Sequence, residues 1–181
     1  MIDARSRRTF RACLTILATA LVAPVAAASE LHAGAASVSI TPDRPVALSG
    51  QMHTRVSKSV RSPVVANALA LESRQGDQVL DQAVLVACDL VAIPEPILRK
   101  ARELVAARIP GLDASKLILS ATHTHTAPVM EEGFYEIPKD GVMQPGEYAD
   151  FLVARVADAA VAAWESRKPS KVGWGLGHAV V

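Results

Sequence analysis

The sequence predicts an α/β protein with a mixed sheet and flanking helices. Two apolar runs, residues 63–72 and 79–90, are separated by the polar connection 73–77, a pattern typical of a hairpin between two strands. Residues 94–109 then repeat their apolar side chains at helical spacing, and residues 116–120 form a further short apolar run. Because strand, helix and strand in this order form a right-handed parallel crossover, we expect parallel and antiparallel pairs in one sheet.

The remaining segments complete this outline. Residues 36–40 alternate small or branched apolar residues with serine, which predicts a half-buried strand ending at Thr41-Pro42-Asp43. Residues 126–146 contain three prolines and two glycines before Gly146 and show no sustained period, so we expect a long irregular loop of the kind that usually serves a function. A second helix is predicted for residues 148–164 and another strand for residues 172–181.

Composition limits the choice of function. The chain has 181 residues, is 50% hydrophobic and carries a net charge of +1, which suits one globular core and gives no electrostatic reason to expect a nucleic-acid partner. Of its two cysteines, Cys13 lies in a segment that we expect to be removed, so a disulfide framework is excluded. Cys88 lies in an apolar run and is predicted to be a small buried hydrophobic residue.

The N-terminus has the pattern of a signal peptide, which we assign to residues 1–28. Residues 14–23 are apolar, and Pro24 precedes the small residues 26–28. The basic region before them contains Arg5, Arg7, Arg8 and Arg11. We therefore expect a secreted or periplasmic protein, with an uncleaved membrane anchor as the alternative. Ser6-Arg7-Arg8-Thr9-Phe10 also resembles the twin-arginine signature, although arginine pairs occur in ordinary signal peptides as well.

Two histidines offer the clearest chemistry in the sequence. His123 and His125 directly follow the strand predicted at residues 116–120, and residues two apart on an extended backbone point to the same side. Neutral imidazole is a common zinc ligand, and open α/β sheets place their ligand sites at the carboxyl ends of strands. The pair supplies two of the roughly three protein ligands that a catalytic zinc requires. The alternative is a polar strand edge whose imidazoles bond to water or backbone.

Other polar residues are weaker candidates. Asp89 ends an apolar run, and a carboxylate buried there needs a partner, such as a metal, an arginine, a histidine ring N–H or a hydrogen bond from a neighbouring loop. His32, His53 and His178 stand in no comparable context, and we interpret them as surface or locally bonded histidines rather than ligands.

Several segments resemble the neutral/alkaline, non-lysosomal ceramidases. Residues 117–128, Leu-Ile-Leu-Ser-Ala-Thr-His-Thr-His-Thr-Ala-Pro, are similar to the segment of that family in which a strand leads into Thr-His-Thr-His-Ser-Gly-Pro. Residues 33–42 resemble its opening strand, residues 48–50 its glycine-bearing turn and residues 84–90 its strand ending in Asp-Leu. The resemblance covers essentially everything after the signal peptide. It implies that residues 29–181 are the N-terminal portion of a larger hydrolase domain, truncated at the C-terminus.

The resemblance also implies an activity and a set of partners. The implied activity is that of a zinc-dependent amidohydrolase, which cleaves the N-acyl amide bond of ceramide or a related N-acyl lipid with Zn²⁺ as cofactor. His123 is then a zinc ligand and His125 a catalytic residue that contacts the substrate. The expected partners are the lipid amide, peripheral membrane lipid and the missing C-terminal part of the chain, because the family's other ligands, a histidine, a glutamate and a tyrosine, would follow Val181.

The sequence also departs from the family's pattern. Thr126 and Ala127 replace its usual Ser-Gly, so the loop over the site is expected to have a different shape, which leaves the choice of substrate open. Asn67 stands where the family often has arginine, which removes one possible anion contact. Two alternatives stay open for the chain as a whole. One is a non-catalytic exported ligand-binding module, and the other is an inactive truncated remnant of such an enzyme.

Overall fold

A computed structural model describes residues 28–178 of the chain. The predicted signal peptide therefore lies outside the described residues, except for Ala28. The described part folds into five strands and two helices, with a short 3₁₀ turn before the fourth strand. These elements are β1 (Glu30–Ser39), β2 (Val65–Gln75), β3 (Gln78–Cys88), α1 (Glu95–Arg108), β4 (Leu117–Ala121), α2 (Pro145–Glu165) and β5 (Lys168–Ser170). The α/β class predicted from the sequence is confirmed.

The strands form one mixed sheet in the order β4-β3-β2-β1-β5. Strands β3 and β4 are parallel, and all the other neighbours are antiparallel. The predicted hairpin joins β2 to β3 through Gly76, whose φ of 59° lies in the left-handed region that glycine adopts without strain. The parallel pair follows from the predicted crossover, because α1 connects β3 to β4.

Two of the predicted strands differ from the structure. Strand β1 begins at Glu30, six residues before the predicted start, because its first half pairs with the end of β2. The strand predicted at residues 172–181 is wrong for the residues that the structure describes, since residues 171–178 form no strand and are exposed. The last strand is β5 instead, a short edge segment directly after α2 in which Ser170 pairs with Leu31 of β1.

Both helices contribute to a single core with alternate residues of the sheet. The inward residues are Ala66, Ala68 and Ala70 of β2 and Val84, Val86 and Cys88 of β3. The opposite sheet face is open, so β2 and β3 are buried on one face only. Leu69, Leu85 and Ile118 stand side by side there, and Ile118 is 50% exposed. Among residues 28–178, no helix is long and apolar enough to cross a membrane.

A buried ion cluster joins the end of α2 to the sheet. Glu72 of β2 is almost fully buried and forms ion pairs with Arg74 and with Arg167, which follows α2. The Arg167 guanidinium also lies over the Trp164 ring, 3.3 Å from its centroid. Because a buried carboxylate without a partner is very unfavourable, these two arginines allow Glu72 to occupy the core.

Candidate metal site

The histidine segment continues the edge of β4 in an irregular form. The backbone N–H groups of Thr122 and Thr124 donate to the carbonyls of Cys88 and Leu90, at 3.0 and 2.9 Å, so the segment stays attached to the end of β3. Between these two anchors, His123 has a φ of 64°, in the left-handed region. The prediction that an extended backbone aligns the two histidines is therefore wrong, because the chain turns at His123 and its two anchors hold the unfavourable conformation.

The two imidazoles nevertheless converge. Nδ1 of His123 lies 2.9 Å from the carbonyl oxygen of Val91, and Nδ1 of His125 lies 2.8 Å from that of Gly50. Because a carbonyl oxygen can only accept, each Nδ1 must carry the proton and donate. In the neutral rings this leaves a lone pair on each Nε2. The two Nε2 atoms face each other at 3.1 Å, with the ring planes at 74°.

With both Nδ1 atoms donating elsewhere, the two Nε2 lone pairs converge, and a cation placed beside them would receive two nitrogen donors. Two imidazole nitrogens bound to one tetrahedral zinc at about 2.0–2.1 Å stand roughly 3.3–3.4 Å apart, close to the observed separation. The donor set of His123 and His125 therefore fits a divalent metal, and both rings are exposed to solvent.

A glycine turn supports the ring of His125. Gly50 has a φ of 74°, and a Cβ added there would lie 2.6 Å from Cγ and Nδ1 of His125. The turn is fixed by Tyr135, whose hydroxyl accepts from the backbone N–H of Gln51 and donates to the Gln51 carbonyl. The Gln51 side-chain amide in turn donates to the carbonyl of His125.

Sequence reasoning identified the glycine turn only through the resemblance, and it missed Gln51 and Tyr135 altogether. The Tyr135 hydroxyl contacts the backbone of Gln51, which lies 84 residues earlier in the chain. No spacing or residue pattern in the sequence signals such a contact.

Of the partners that the sequence left open for Asp89, the structure shows hydrogen bonds from neighbouring segments of the chain. Its carboxylate accepts from the backbone N–H of Val65 at 3.0 Å and from the hydroxyl of Thr122 at 3.3 Å. Thr122 is also 2.9 Å from the hydroxyl of Thr124. Asp89 is half-buried rather than buried, and it connects the start of β2 to the histidine segment.

The other candidates lie apart from the histidine pair. His32 bonds to Glu30 on β1, while His53 and His178 are exposed. Cys88 is fully buried and free, as predicted, and burial together with the charge of Asp89 raises the pKa of its thiol to about 12. A protonated thiol is a poor metal ligand. Within residues 28–178, no three His, Cys, Asp or Glu side chains gather at one point that could hold a metal.

Comparison with known proteins identifies the fold. No protein-family model and no curated protein sequence matches the chain. Among solved structures, the neutral ceramidase from Pseudomonas aeruginosa matches with a TM-score of 0.64 at 20% identity, over 78% of this chain and 22% of that one. A ceramidase complexed with C2 matches with a TM-score of 0.59 at 21% identity, with the same two coverages. The chain thus shares the fold of part of these structures and spans about a fifth of their length.

Proposed function

We propose that this chain forms part of a zinc-dependent hydrolase that cleaves the N-acyl amide bond of ceramide or a related N-acyl lipid. The observation that carries the proposal is the pair of Nε2 atoms of His123 and His125, which face each other at 3.1 Å with both Nδ1 atoms engaged elsewhere. The shared fold with two ceramidase structures supports the reaction class. The signal-peptide pattern supports action outside the cytoplasm.

The two histidines are suited to hold the metal. His123 is the proposed ligand, because the Val91 carbonyl fixes its tautomer and aims its Nε2 outward. His125 lies beside it, so its Nε2 can contact either the metal or a substrate group next to the metal. A catalytic zinc has about three protein ligands, and we infer that the remaining ones come from polypeptide outside residues 28–178.

In the proposed chemistry, the metal and the side chains of this chain have different roles. A zinc ion bound here would polarise the amide carbonyl and lower the pKa of a bound water to about 7. The contribution of the chain is orientation: the Gly50 and Val91 carbonyls hold both rings in one tautomer before substrate arrives. The free Nε2 of His125 can accept a hydrogen bond from the amide N–H or a hydroxyl of the lipid. Both rings are exposed, so the substrate reaches them from solvent.

Metal binding tests the proposal directly. Zinc should bind the full-length protein, including the polypeptide that supplies the remaining ligands, in one-to-one ratio, measured by elemental analysis after dialysis, and Co²⁺ substitution should give the visible spectrum of nitrogen coordination. His123→Ala should lower zinc affinity by more than the roughly 10–100-fold that loss of an outer-shell partner costs, because it removes a ligand itself. His32→Ala is the matched control, because His32 bonds to Glu30 on β1 and should leave zinc affinity unchanged.

Activity separates the enzyme from its two alternatives. If the proposal is correct, the full-length protein with zinc releases fatty acid from an N-acyl sphingoid base, and His123→Ala abolishes the release. Stoichiometric zinc without hydrolysis would favour a binding module. A folded protein whose zinc content does not depend on His123 would contradict the metal site itself.

A further inference from the structure

A second feature of the molecule is a cleft beside the histidine segment. It has a volume of about 790 Å³, is open to solvent on one side and is lined by residues from the segments 41–48, 55–64 and 126–128. Isolated bridges connect these segments, Ala47 to Val56 and Leu48 to Pro128. The volume falls within the range of roughly 300–1,000 Å³ that is typical of small-molecule sites. Thr126, the neighbour of His125, forms part of the wall, whereas neither His123 nor His125 lines the cleft.

The charged side chains that line the cleft are all positive. They are Arg44, Arg55, Lys58 and Arg61. Arg44 forms an ion pair with Glu147 at 3.0 Å, and Arg55 donates to the side-chain oxygen of Gln51. Lys58 and Arg61 are exposed, and neither has an ion-pair or hydrogen-bond partner in the described part of the chain. A concave surface with charges of one sign concentrates the field, so it attracts an anion although the net charge is only +1.

The rest of the lining is divided between aliphatic and hydroxyl side chains. The aliphatic residues are Val46, Leu48, Val56, Val60 and Val64, together with Pro42 and Pro128, and the hydroxyl residues are Thr41, Ser57, Ser59, Ser62 and Thr126. Val60 stands between the two unpaired cations in the sequence and is 59% exposed. Cations next to aliphatic side chains match a ligand that has a charged head and an apolar body, whereas a free inorganic anion gains nothing from the valines.

Acidic residues near this region lie outside the cleft. Glu131, Glu132 and Glu136 belong to the loop that Tyr135 attaches to Gln51, on the side of the glycine turn. None of these three carboxylates lines the cleft. Asp43 and Glu147 also lie outside the lining but pair with Arg44, at 3.9 and 3.0 Å, so the cations of the cleft without a partner in the described residues are Lys58 and Arg61.

We propose that this cleft binds the acidic head group of a membrane lipid, with Lys58 and Arg61 as its principal contacts and Val60 against the apolar part of the lipid. The proposal rests on the charge and lining of the cleft and does not depend on hydrolysis at the histidine pair. Beside that pair, a bound lipid would hold the protein at a membrane surface from which an N-acyl lipid could reach the site.

Vesicle sedimentation tests the proposal on the full chain. The protein should sediment with vesicles that mix a zwitterionic lipid with an acidic one, and it should bind vesicles of the zwitterionic lipid alone much more weakly. The double variant Lys58→Gln/Arg61→Gln should weaken binding to the acidic vesicles roughly 25-fold, about fivefold for each charge. Val60→Ser should weaken it further without changing any charge.

The matched control is the double variant Arg99→Gln/Lys100→Gln, which removes the same charge from the exposed side of α1. It should bind acidic vesicles like the unmodified protein. Equal weakening by both double variants would overturn the proposal, because the attraction would then be a general charge effect. A displacement experiment gives a second way to overturn the proposal. If inorganic phosphate displaces the protein from acidic vesicles and chloride at the same ionic strength does not, the cleft is a site for a free anion.

A separate measurement distinguishes this proposal from the proposed function. His123→Ala should lose zinc and keep its affinity for acidic vesicles, while Lys58→Gln/Arg61→Gln should keep zinc. If His123→Ala also releases the protein from acidic vesicles, the lipid contact belongs to the histidine site and the cleft is not a separate site.

Discussion

The helix-covered face of the sheet and the end of strand β4 are stabilised in different ways. On the covered face, alanines and valines of β2 and β3 pack against α1 and α2 in a continuous apolar core. At the end of β4, His123 and His125 are exposed and are held by hydrogen bonds to the backbone carbonyls of two separate loops. The fold therefore does not depend on the site, and substitutions should be able to damage either one alone.

Two glycines show this difference most directly. Gly34 on β1 faces the end of α2, and Gly50 faces the ring of His125, and both are approached so closely that a Cβ would overlap its neighbour. At Gly34 the neighbours are the side chain of Ser166 and backbone atoms of Ala163 and Arg167, and the backbone atoms cannot move without shifting the end of the helix. At Gly50 the neighbour is a side chain. The first close approach serves the fold, and the second serves the site.

Gly34→Ala should have the largest effect on stability. The added methyl group overlaps the carbonyl oxygen of Ala163, so α2 must move away from β1, which should lower the free energy of unfolding by about 3 kcal/mol. Gly76→Ala is the control, because its surroundings are open and only its positive φ is unfavourable, at about 1–2 kcal/mol. Urea denaturation measures both. Equal losses in the two variants would show that α2 is not pressed against Gly34.

Gly50→Ala should instead damage the site. The methyl group displaces the His125 ring from the Gly50 carbonyl, and loss of such a supporting contact lowers metal affinity by about 10–100-fold. Gly141→Ala is a close match, since its φ of 72° is almost the same and its surroundings are open. Both variants should lose similar stability in urea, and only Gly50→Ala should lose zinc affinity in a calorimetric titration. Parallel losses of zinc in both would exclude the ring contact as the cause.

Two tyrosines extend the comparison to hydrogen bonds. Tyr148 is buried and donates to the carbonyl of Ile40 at 2.9 Å, so Tyr148→Phe leaves a buried acceptor without its partner and should cost about 1–2 kcal/mol. Tyr135 bonds to Gln51 in a half-buried loop, where water can replace it. Tyr135→Phe should therefore cost less than about 1 kcal/mol in thermal unfolding. A larger loss of stability in Tyr135→Phe than in Tyr148→Phe would contradict this expectation.

The fold could be predicted because it depends on local patterns. The hairpin around Gly76, the helical spacing in α1 and the crossover to β4 are all contained in contiguous segments of the sequence. The strand predicted at residues 172–181 was wrong for the described residues because an apolar pattern does not reveal whether a neighbouring strand is available. The short β5 finds such a neighbour at the exposed edge of β1.

The sequence identified the two histidines of the site but not their arrangement. His123 and His125 stand out in the sequence, but their alignment depends on a positive φ and on carbonyls from Gly50 and Val91, which lie 75 and 32 residues away. Contacts to backbone carbonyls carry no side-chain signature. The cleft was missed for a similar reason, since Lys58 and Arg61 become a concentrated charge only when the 41–48 segment folds against them.

The smallest expected effect concerns pH and the carboxylate of Glu147 at the start of α2. Glu147 accepts from the backbone N–H of Gln144 and pairs with Arg44 of the cleft, and the first of these contacts contributes most to holding the pKa of its carboxyl below its usual 4.5. A lowered pKa means that the unfolded chain takes up the proton first as the pH falls. The contribution of Glu147 to stability is therefore complete above pH 4.5 and is lost as the pH falls through the lower value of the folded protein.

Glu147→Gln should remove this acid dependence, because the amide keeps an acceptor for the Gln144 N–H and has no proton to gain. The urea midpoints of the two proteins should differ by a constant amount near neutral pH and converge below pH 4.5. Arg44→Gln should reduce the acid dependence without abolishing it, because the backbone contact remains. A difference between wild type and Glu147→Gln that stays constant down to acid pH would show that the carboxylate contributes nothing as a charge, and that α2 starts from its hydrogen-bonded cap alone.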